Sequence, residues 1–259
     1  MSMTLNQDGA VPDAYLGVWQ RTLLRLADGT EDRTTRVFWL QTRHLHADLR
    51  VPDPAPVTVQ ARAALAGFAG LTRVEGDRCQ WHRCIDFHPD SPADIGRMIF
   101  ISSEELHEHA LDNSYWEVWE RLPDSVGPVQ EQWLRAADNP RRFACLLQAG
   151  DYFLFAADRS NPMASGGPLA QRLESADAAD AEAMLSCEMS MGRIRGTSVP
   201  WQIQLSTLPG RAGRVLTNSG SEASETWPES VWTELGAAVP AGGWQLLPVP
   251  ALFSNEPSL

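Results

Sequence analysis

Residues 16–41 read LGVWQRTLLRLADGTEDRTTRVFWLQ, and this stretch decides the fold. From Leu16 to Leu26 the side chains fall into two alternating sets, and a period of two is typical of a β-strand. Asp28-Gly29 follows, and this dipeptide is a strong signal for a tight hairpin turn. Residues 33–41 are rich in Thr, Val, Phe and Trp and are expected to form the return strand. The stretch therefore predicts an antiparallel hairpin.

Short strands separated by turn signals continue along the chain. In the first half we predict strands at 16–26, 33–41, 44–51, 71–75, 78–87, 97–102 and 114–122. In the second half we predict strands at 143–148, 152–157, 184–194, 199–206 and 244–249. Helices are predicted at 57–66, 128–138, 169–183 and 227–237, and a loop at 211–225. Runs of short strands with Gly and Pro turns are typical of a sandwich or a barrel.

The composition excludes several classes of function. The chain has 259 residues and a net charge of −12, so clustered basic residues for nucleic acid or an anionic membrane surface are not expected. All 21 basic residues are Arg, which excludes P-loop, Schiff-base and Ser–Lys chemistry. Residues 1–12 have neither a basic start nor an apolar run, so we expect no secretory signal there, and no apolar run reaches membrane-spanning length. With four cysteines we expect a cytoplasmic protein with reduced thiols.

Four segments carry a resemblance to a known family. Tyr15-Leu16-Gly17-Val18-Trp19 resembles the Gly-x-Trp opening of the calycins, which are the lipocalin and fatty-acid-binding barrels. The segments 36–41 (RVFWLQ), 81–87 (WHRCIDF) and 115–120 (YWEVWE) resemble uncharacterised bacterial calycin-like proteins. The resemblance implies an all-β, antiparallel calycin-like barrel with a few peripheral helices, enclosing a small apolar or amphipathic ligand. We expect this barrel at 12–127, and at 128–259 a β-rich half that packs on the barrel, completes it or repeats it.

Arg83 is the most informative candidate for a binding residue. It shares a predicted strand face with Cys79, Trp81, Ile85 and Phe87, and a buried guanidinium needs an anionic partner. Fatty-acid-binding barrels hold a ligand carboxylate on an interior Arg, and the resemblance implies this role for Arg83. The alternative is a structural ion pair with Asp86, Glu117 or Glu120. The predicted pocket side chains beside Arg83 are Trp39, Gln41, Trp81, Glu117 and Trp119, and core packing is the alternative for the tryptophans.

The histidines suggest a metal site but do not match one. All six lie between positions 44 and 109, and Cys79, His82, Cys84 and His88 cluster in sequence. Their spacing does not match the paired Cys and His ligands of zinc sites. We therefore expect solvent-facing strand positions, with His107-Glu108-His109 in an exposed turn, and predict neither a metal nor a cofactor.

Three functions follow from these features. The leading prediction is non-catalytic binding of a small apolar or amphipathic ligand bearing a carboxylate, with no nucleic acid or membrane partner. The first alternative is a barrel enzyme that works by acid–base chemistry through His82, Asp86 and Glu117. The second is an interaction module whose barrel is filled by its own side chains.

Overall fold

The N-terminal part of the chain is a closed antiparallel barrel. The computed structural model describes residues 9–89, 91–161, 163, 167–216 and 235–249. Nine consecutive strands form the first sheet: β1 Gly17–Leu26, β2 Glu31–Asp32, β3 Arg36–Gln41, β4 Leu45–Val51, β5 Ala66–Glu75, β6 Arg78–Asp86, β7 Asp94–Phe100, β8 Glu105–Ala110 and β9 Tyr115–Arg121. Strand β9 pairs with β1 and closes a ring of eight strands, while the two-residue β2 pairs with the end of β1. The predicted all-β, lipocalin-like barrel is confirmed, although β2 and β8 were not predicted as strands.

Strand β4 shows how alternation builds the two faces of the barrel wall. Leu45, Ala47, Leu49 and Val51 point outward and are buried against the second sheet. The polar residues between them, His46, Asp48 and Arg50, lie on the opposite face, which lines the lumen. The expectation that the polar face of this strand is solvent-facing is therefore wrong, because closure of the barrel turns that face inward.

The C-terminal half forms a second antiparallel sheet. Its six strands are β10 Val129–Ala136, β11 Phe143–Ala149, β12 Tyr152–Ala157, β13 Glu188–Arg193, β14 Gln202–Ser206 and β15 Trp244–Leu247, in the spatial order β14-β13-β12-β11-β10-β15. The helix predicted at 128–138 is wrong, because β10 is hydrogen-bonded to β11 on one side and β15 on the other. Such ladders override helix propensity.

The helices in the described residues are short. The helix predicted at 169–183 is two helices, α1 Leu169–Ser175 and α2 Ala178–Met184. They are separated because the Asp177 side chain accepts a 2.8 Å hydrogen bond from the Asp180 N–H and caps α2. The helix predicted at 57–66 is a single 3-10 turn, Ala61–Ala64. Most of the predicted helix at 227–237, and residues 217–225 of the predicted loop, lie outside the described residues.

The two sheets share one apolar core. The outward faces of β3, β4 and β5 pack on one face of the second sheet, and residues such as Leu49, Leu71, Leu147 and Met189 are fully or almost fully buried there. Each fully buried Leu side chain contributes about 2 kcal/mol through removal of apolar surface from water. The predicted boundary at 127/128 falls between β9 and β10, and the division into two domains stays a prediction.

Glu131 on β10 joins the two sheets through hydrogen bonds. Its carboxylate accepts from the Thr42 hydroxyl at 2.6 Å, from the His44 backbone N–H at 3.0 Å and from the Leu45 N–H at 3.2 Å. It also contacts the His44 ring. One carboxylate on the second sheet therefore fixes the loop before β4 on the barrel.

Candidate functional site

A β-bulge in β6 sets the direction of the side chains around the candidate site. The register shifts between Ala69 and Gly70 on β5, so that Gly70 pairs with Arg83 while Ala69 pairs with Ile85. A Cβ atom at Gly70 would collide with the His82 carbonyl oxygen, so glycine is required for this close approach. The extra residue on β6 changes which face each later side chain joins.

Because of the bulge, the side chains of β6 are divided between its two faces differently from the prediction. Cys79 and Trp81 lie in the lumen cluster, whereas Ile85 and Phe87 lie in the core between the sheets. The prediction that these four residues and Arg83 share one face is wrong, because a strict period of two does not continue across a bulge.

Tryptophans fill the middle of the lumen. Trp39 lies edge-on to Trp81 with ring centroids 5.4 Å apart, and edge-on to Trp119 at 6.0 Å. Trp19 stacks on Trp39 at 6.4 Å, and Tyr15 packs against Trp39 at the end of the barrel where β1 begins. The three tryptophans predicted as pocket walls are thus in one cluster inside the barrel, where each is at least 95% buried.

Gln41 organises a buried polar network below these rings. Its side-chain oxygen accepts hydrogen bonds from Trp39 Nε1 at 3.1 Å and from the Thr72 hydroxyl at 2.8 Å. Because the Thr72 proton is directed to Gln41, the Thr72 oxygen accepts from His46 Nδ1 at 3.0 Å, which places the His46 proton on Nδ1. Burial lowers the pKa of His46 well below its ordinary value, so the imidazole is neutral. Gln41 therefore supports the ring of Trp39.

Three ion-paired arginines occupy the opposite end of the lumen, which we call the charged end. Arg21 donates to Glu117 at 2.7 Å and to Asp32 at 2.9 Å. Arg50 donates to Asp48 at 2.7 Å. Arg83 donates to Asp94 at 2.6 Å and to Asp86 at 3.2 Å. The charged end is defined by Arg21, Asp32, Asp48, Arg50, Arg83, Asp86, Asp94, Glu108, Tyr115 and Glu117.

Glu108 is a member of the charged end that the sequence did not indicate. The predicted exposed turn at 107–109 is part of β8, and Glu108 is 4% exposed inside the barrel. The Tyr115 hydroxyl donates to its carboxyl at 2.9 Å, and a Cβ atom at Gly96 would lie 2.7 Å from the Glu108 side chain. Burial, followed by the neighbouring Glu117 and Asp94, raises the pKa of Glu108 well above its ordinary value. Glycine at position 96 therefore makes room for a buried carboxyl.

Little space remains between the tryptophans and the charged end. A void of about 10 Å³ lies there, which is about the volume that one water molecule needs. Its lining residues are Trp39, Asp48, Arg50, Phe68, Trp81, Asp94, Glu108 and Trp119. The indole Nε1 of Trp119 has no hydrogen-bond partner among the residues that the structure describes.

A larger cleft opens on the side of the barrel next to β6. It has a volume of about 350 Å³, within the range of small-molecule sites. Strand β6 pairs with β5 over eight positions but with β7 over four, ending where Trp81 pairs with Asp94. The rest of β6 borders this side cleft, which is lined by Gln80, Trp81, His82, Arg83, Cys84, Asp86, Pro89, Ser91, Pro92, Ala93, Asp158, Arg159 and Met163.

Arg83 lies between the side cleft and the lumen. It lines the cleft, and its guanidinium carbon is 3.9 Å from the centre of the Phe68 ring, which lines the void. Trp81 lines both spaces. Asp86 and Asp94 already neutralise the Arg83 charge, and of these two partners the sequence indicated Asp86. The role of Arg83 as a ligand anchor stays a prediction.

The other predicted site residues fall into separate places. His82 lines the side cleft, Asp86 lies where this cleft meets the charged end, and Glu117 pairs with Arg21 in the lumen, so the proposed acid–base group is not gathered at one point. Arg159, also in the cleft, directs its guanidinium to the carbonyls of Met184, Asp86 and Phe87. Across the described residues, the His, Cys, Asp and Glu side chains form no group of three that could bind a metal ion. Within the same residues, no helix is long and apolar enough to cross a membrane.

Comparison with known proteins shows the fold alone. No protein-family model and no curated protein sequence matches the chain. An uncharacterized protein from Saccharomyces cerevisiae is 11% identical, with a TM-score of 0.52 over 73% of this chain and 84% of that one. A lipocalin-like protein from Bacteroides uniformis is 14% identical over 42% of this chain and 99% of that one, with a TM-score of 0.33. An uncharacterized protein from Bacteroides eggerthii is 10% identical over the same shares, with a TM-score of 0.33.

Proposed function

We propose that this chain is a non-catalytic binder of a small amphipathic molecule, which enters the charged end of the barrel from the side cleft. The observation that carries the proposal is the short β6–β7 pairing. It leaves a cleft of about 350 Å³ lined by Trp81, which also lines the lumen void, and by Arg83, which packs against the Phe68 ring of that void. The volume of the cleft is within the range of small-molecule sites, and its lining combines the Trp81 ring with polar and charged side chains such as Arg83 and Asp86.

Cys84 provides a direct test, because its thiol lies in the side cleft and is exposed whereas Cys79, Cys145 and Cys187 are buried. A bound molecule should slow the reaction of Cys84 with a thiol reagent at least tenfold. The Cys84→Ser variant, which should lose the fast reaction, is the control for the assignment. Native mass spectrometry of the purified protein, compared with its denatured mass, reports any small molecule that is already bound.

Two variants connect this protection to the proposed site. Trp81→Ala should weaken binding at least tenfold because it removes the wall shared by the cleft and the lumen. Arg97→Ala, at an exposed position on the neighbouring strand, should have no effect. The further prediction that Arg83 holds a ligand carboxylate is tested by Arg83→Ala, which should then abolish binding of carboxylates alone.

The filled barrel is the second candidate, because the void of about 10 Å³ in the lumen has no room for a ligand larger than water. It predicts the same reaction rate of Cys84 with and without a library of small molecules, and a native mass equal to the denatured mass. Those two results together would refute small-molecule binding in the side cleft.

A further inference from the structure

The charged end contains more acidic than basic groups. Six carboxyls (Asp32, Asp48, Asp86, Asp94, Glu108 and Glu117) face three guanidiniums (Arg21, Arg50 and Arg83) among the described residues. Five of the six carboxyls accept a hydrogen bond from an arginine. The hydrogen bond described for the sixth, Glu108, comes from the neutral Tyr115 hydroxyl. Because burial raises the pKa of Glu108, this group stays a neutral acid until a positive charge beside it stabilises the ionised form. This end of the barrel therefore favours an additional positive charge.

The walls of the lumen void suit a cation. Four of its eight lining residues are aromatic, and Trp39, Trp81 and Trp119 are at least 95% buried. The face of an aromatic ring attracts a positive charge because the π-electrons concentrate negative charge there. The buried Trp119 Nε1–H, which has no partner among the described residues, is a donor for an acceptor atom next to that charge.

Arg50 demonstrates how this site binds a cation. Its guanidinium donates to both oxygens of Asp48, at 2.7 and 3.3 Å, and lies 5.3 Å from the centre of the Phe68 ring. The Arg50 side chain is 29% exposed, whereas that of Asp48 is 3% exposed. Arg50 is thus at the rim, where its long side chain can turn into solvent, while the carboxylate and the ring that hold it are fixed inside.

We propose that the ligand carries an organic cation, an ammonium or guanidinium group, which replaces the Arg50 guanidinium between Asp48 and Phe68 and pairs with Glu108. This inference rests on the proposed function, since it names the chemical class of ligand for the same end of the barrel. It differs from the sequence-based prediction of a carboxylate ligand, because Asp86 and Asp94 already face Arg83. Arg50 competes for the same place, so it lowers the apparent affinity for the ligand.

The test uses two probes of matched shape and opposite charge, phenethylammonium and 3-phenylpropionate. Their binding to the full chain is measured by calorimetry and by protection of Cys84. The expected dissociation constant of phenethylammonium is at least tenfold lower than that of 3-phenylpropionate. Glu108→Gln should weaken binding of phenethylammonium at least tenfold, and Arg50→Ala should strengthen it at least tenfold. Glu120→Gln, at an exposed position on β9, is the matched control and should leave the affinity for both probes unchanged.

Each result decides between the two proposals. If 3-phenylpropionate binds more tightly than phenethylammonium, the inference about charge is wrong and small-molecule binding stands. If neither probe binds nor protects Cys84, while a library also fails to protect it, both proposals are wrong. If Arg50→Ala does not fold, the comparison of wild type with Glu108→Gln still decides, because equal binding of phenethylammonium to the two proteins would refute the role of Glu108.

Discussion

Arg21 and Glu117 form a buried ion pair in which the loss of either partner alone is expected to destabilise the closed barrel, whereas the replacement of both is expected to cost little. The two residues join β1 to β9 at 2.7 Å, and their side chains are 6% and 7% exposed. Glu117→Leu leaves the Arg21 charge inside the barrel. Removing one partner of a buried pair costs about 3–5 kcal/mol of unfolding free energy. Asp32 still contacts Arg21 at 2.9 Å and is 29% exposed, so we expect the lower limit, about 3 kcal/mol.

This cost is measurable by urea or thermal unfolding followed by tryptophan fluorescence. For a chain of this size 1 kcal/mol corresponds to about 2–4 °C in Tm, so Glu117→Leu should lower Tm by about 6–12 °C. Arg21→Met should be similarly costly, but the double variant should unfold within about 1.5 kcal/mol of wild type, because two apolar side chains replace two desolvated charges. A double variant that loses the sum of the two single losses would refute this reasoning.

Further predictions concern the hydrogen bonds of Glu131 between the two sheets, the β-bulge at Gly70, the four thiols and the buried His46 imidazole. Glu131→Ala should lower the unfolding free energy by about 3 kcal/mol in urea, since it removes several hydrogen bonds to a charged group, while the exposed Glu120→Ala should cost less than about 0.5 kcal/mol. Gly70→Ala should cost about 3 kcal/mol or more, because its Cβ collides with backbone; a wild-type midpoint in urea would contradict the bulge geometry. Ellman's reagent should react with one thiol, Cys84, in the folded protein and with all four in urea, and more than one fast thiol would contradict the described burial. His46 is neutral in the folded protein, so unfolding takes up a proton below about pH 6.5. As the pH falls below this value, the unfolding free energy should therefore decrease by up to about 1.4 kcal/mol per pH unit. His46→Gln should remove this component, which is measured as the difference in stability between wild type and variant at pH 7 and at pH 5.

The strands that could be predicted are those whose own residues alternate or favour extended backbone, including β1 and β6, although the bulges in these two strands could not. Residues 152–157 and the alternation in β4 follow the pattern of side chains, because a period of two places every second residue on one face. Strand β10 could not be predicted, since its residues favour a helix until β11 and β15 supply hydrogen bonds on both sides. The limit is physical, because strand pairing depends on residues that are distant in the chain.

The candidate site, too, could be predicted only in part from the sequence. The tryptophans at 39, 81 and 119 were predicted to line the barrel interior, and there Trp81 and Trp119 both contact Trp39. The direction of Arg83 depends on a bulge that the sequence does not mark, and its partner Asp94 lies on the next strand. Glu108 lies between two histidines in the sequence, which is typical of an exposed segment, yet closure of the barrel buries it.

The sequence by itself therefore determined the class of structure. Turn signals and alternating side chains encode antiparallel strands locally, and the absence of Lys excludes several chemistries wherever the chain folds. The tertiary structure decided which polar face is inside and which charges are paired. Arg21 and Glu117 are 96 residues apart and meet because β9 pairs with β1 when the barrel closes. Local patterning cannot encode such contacts, since each exists only after the whole ring of strands has formed.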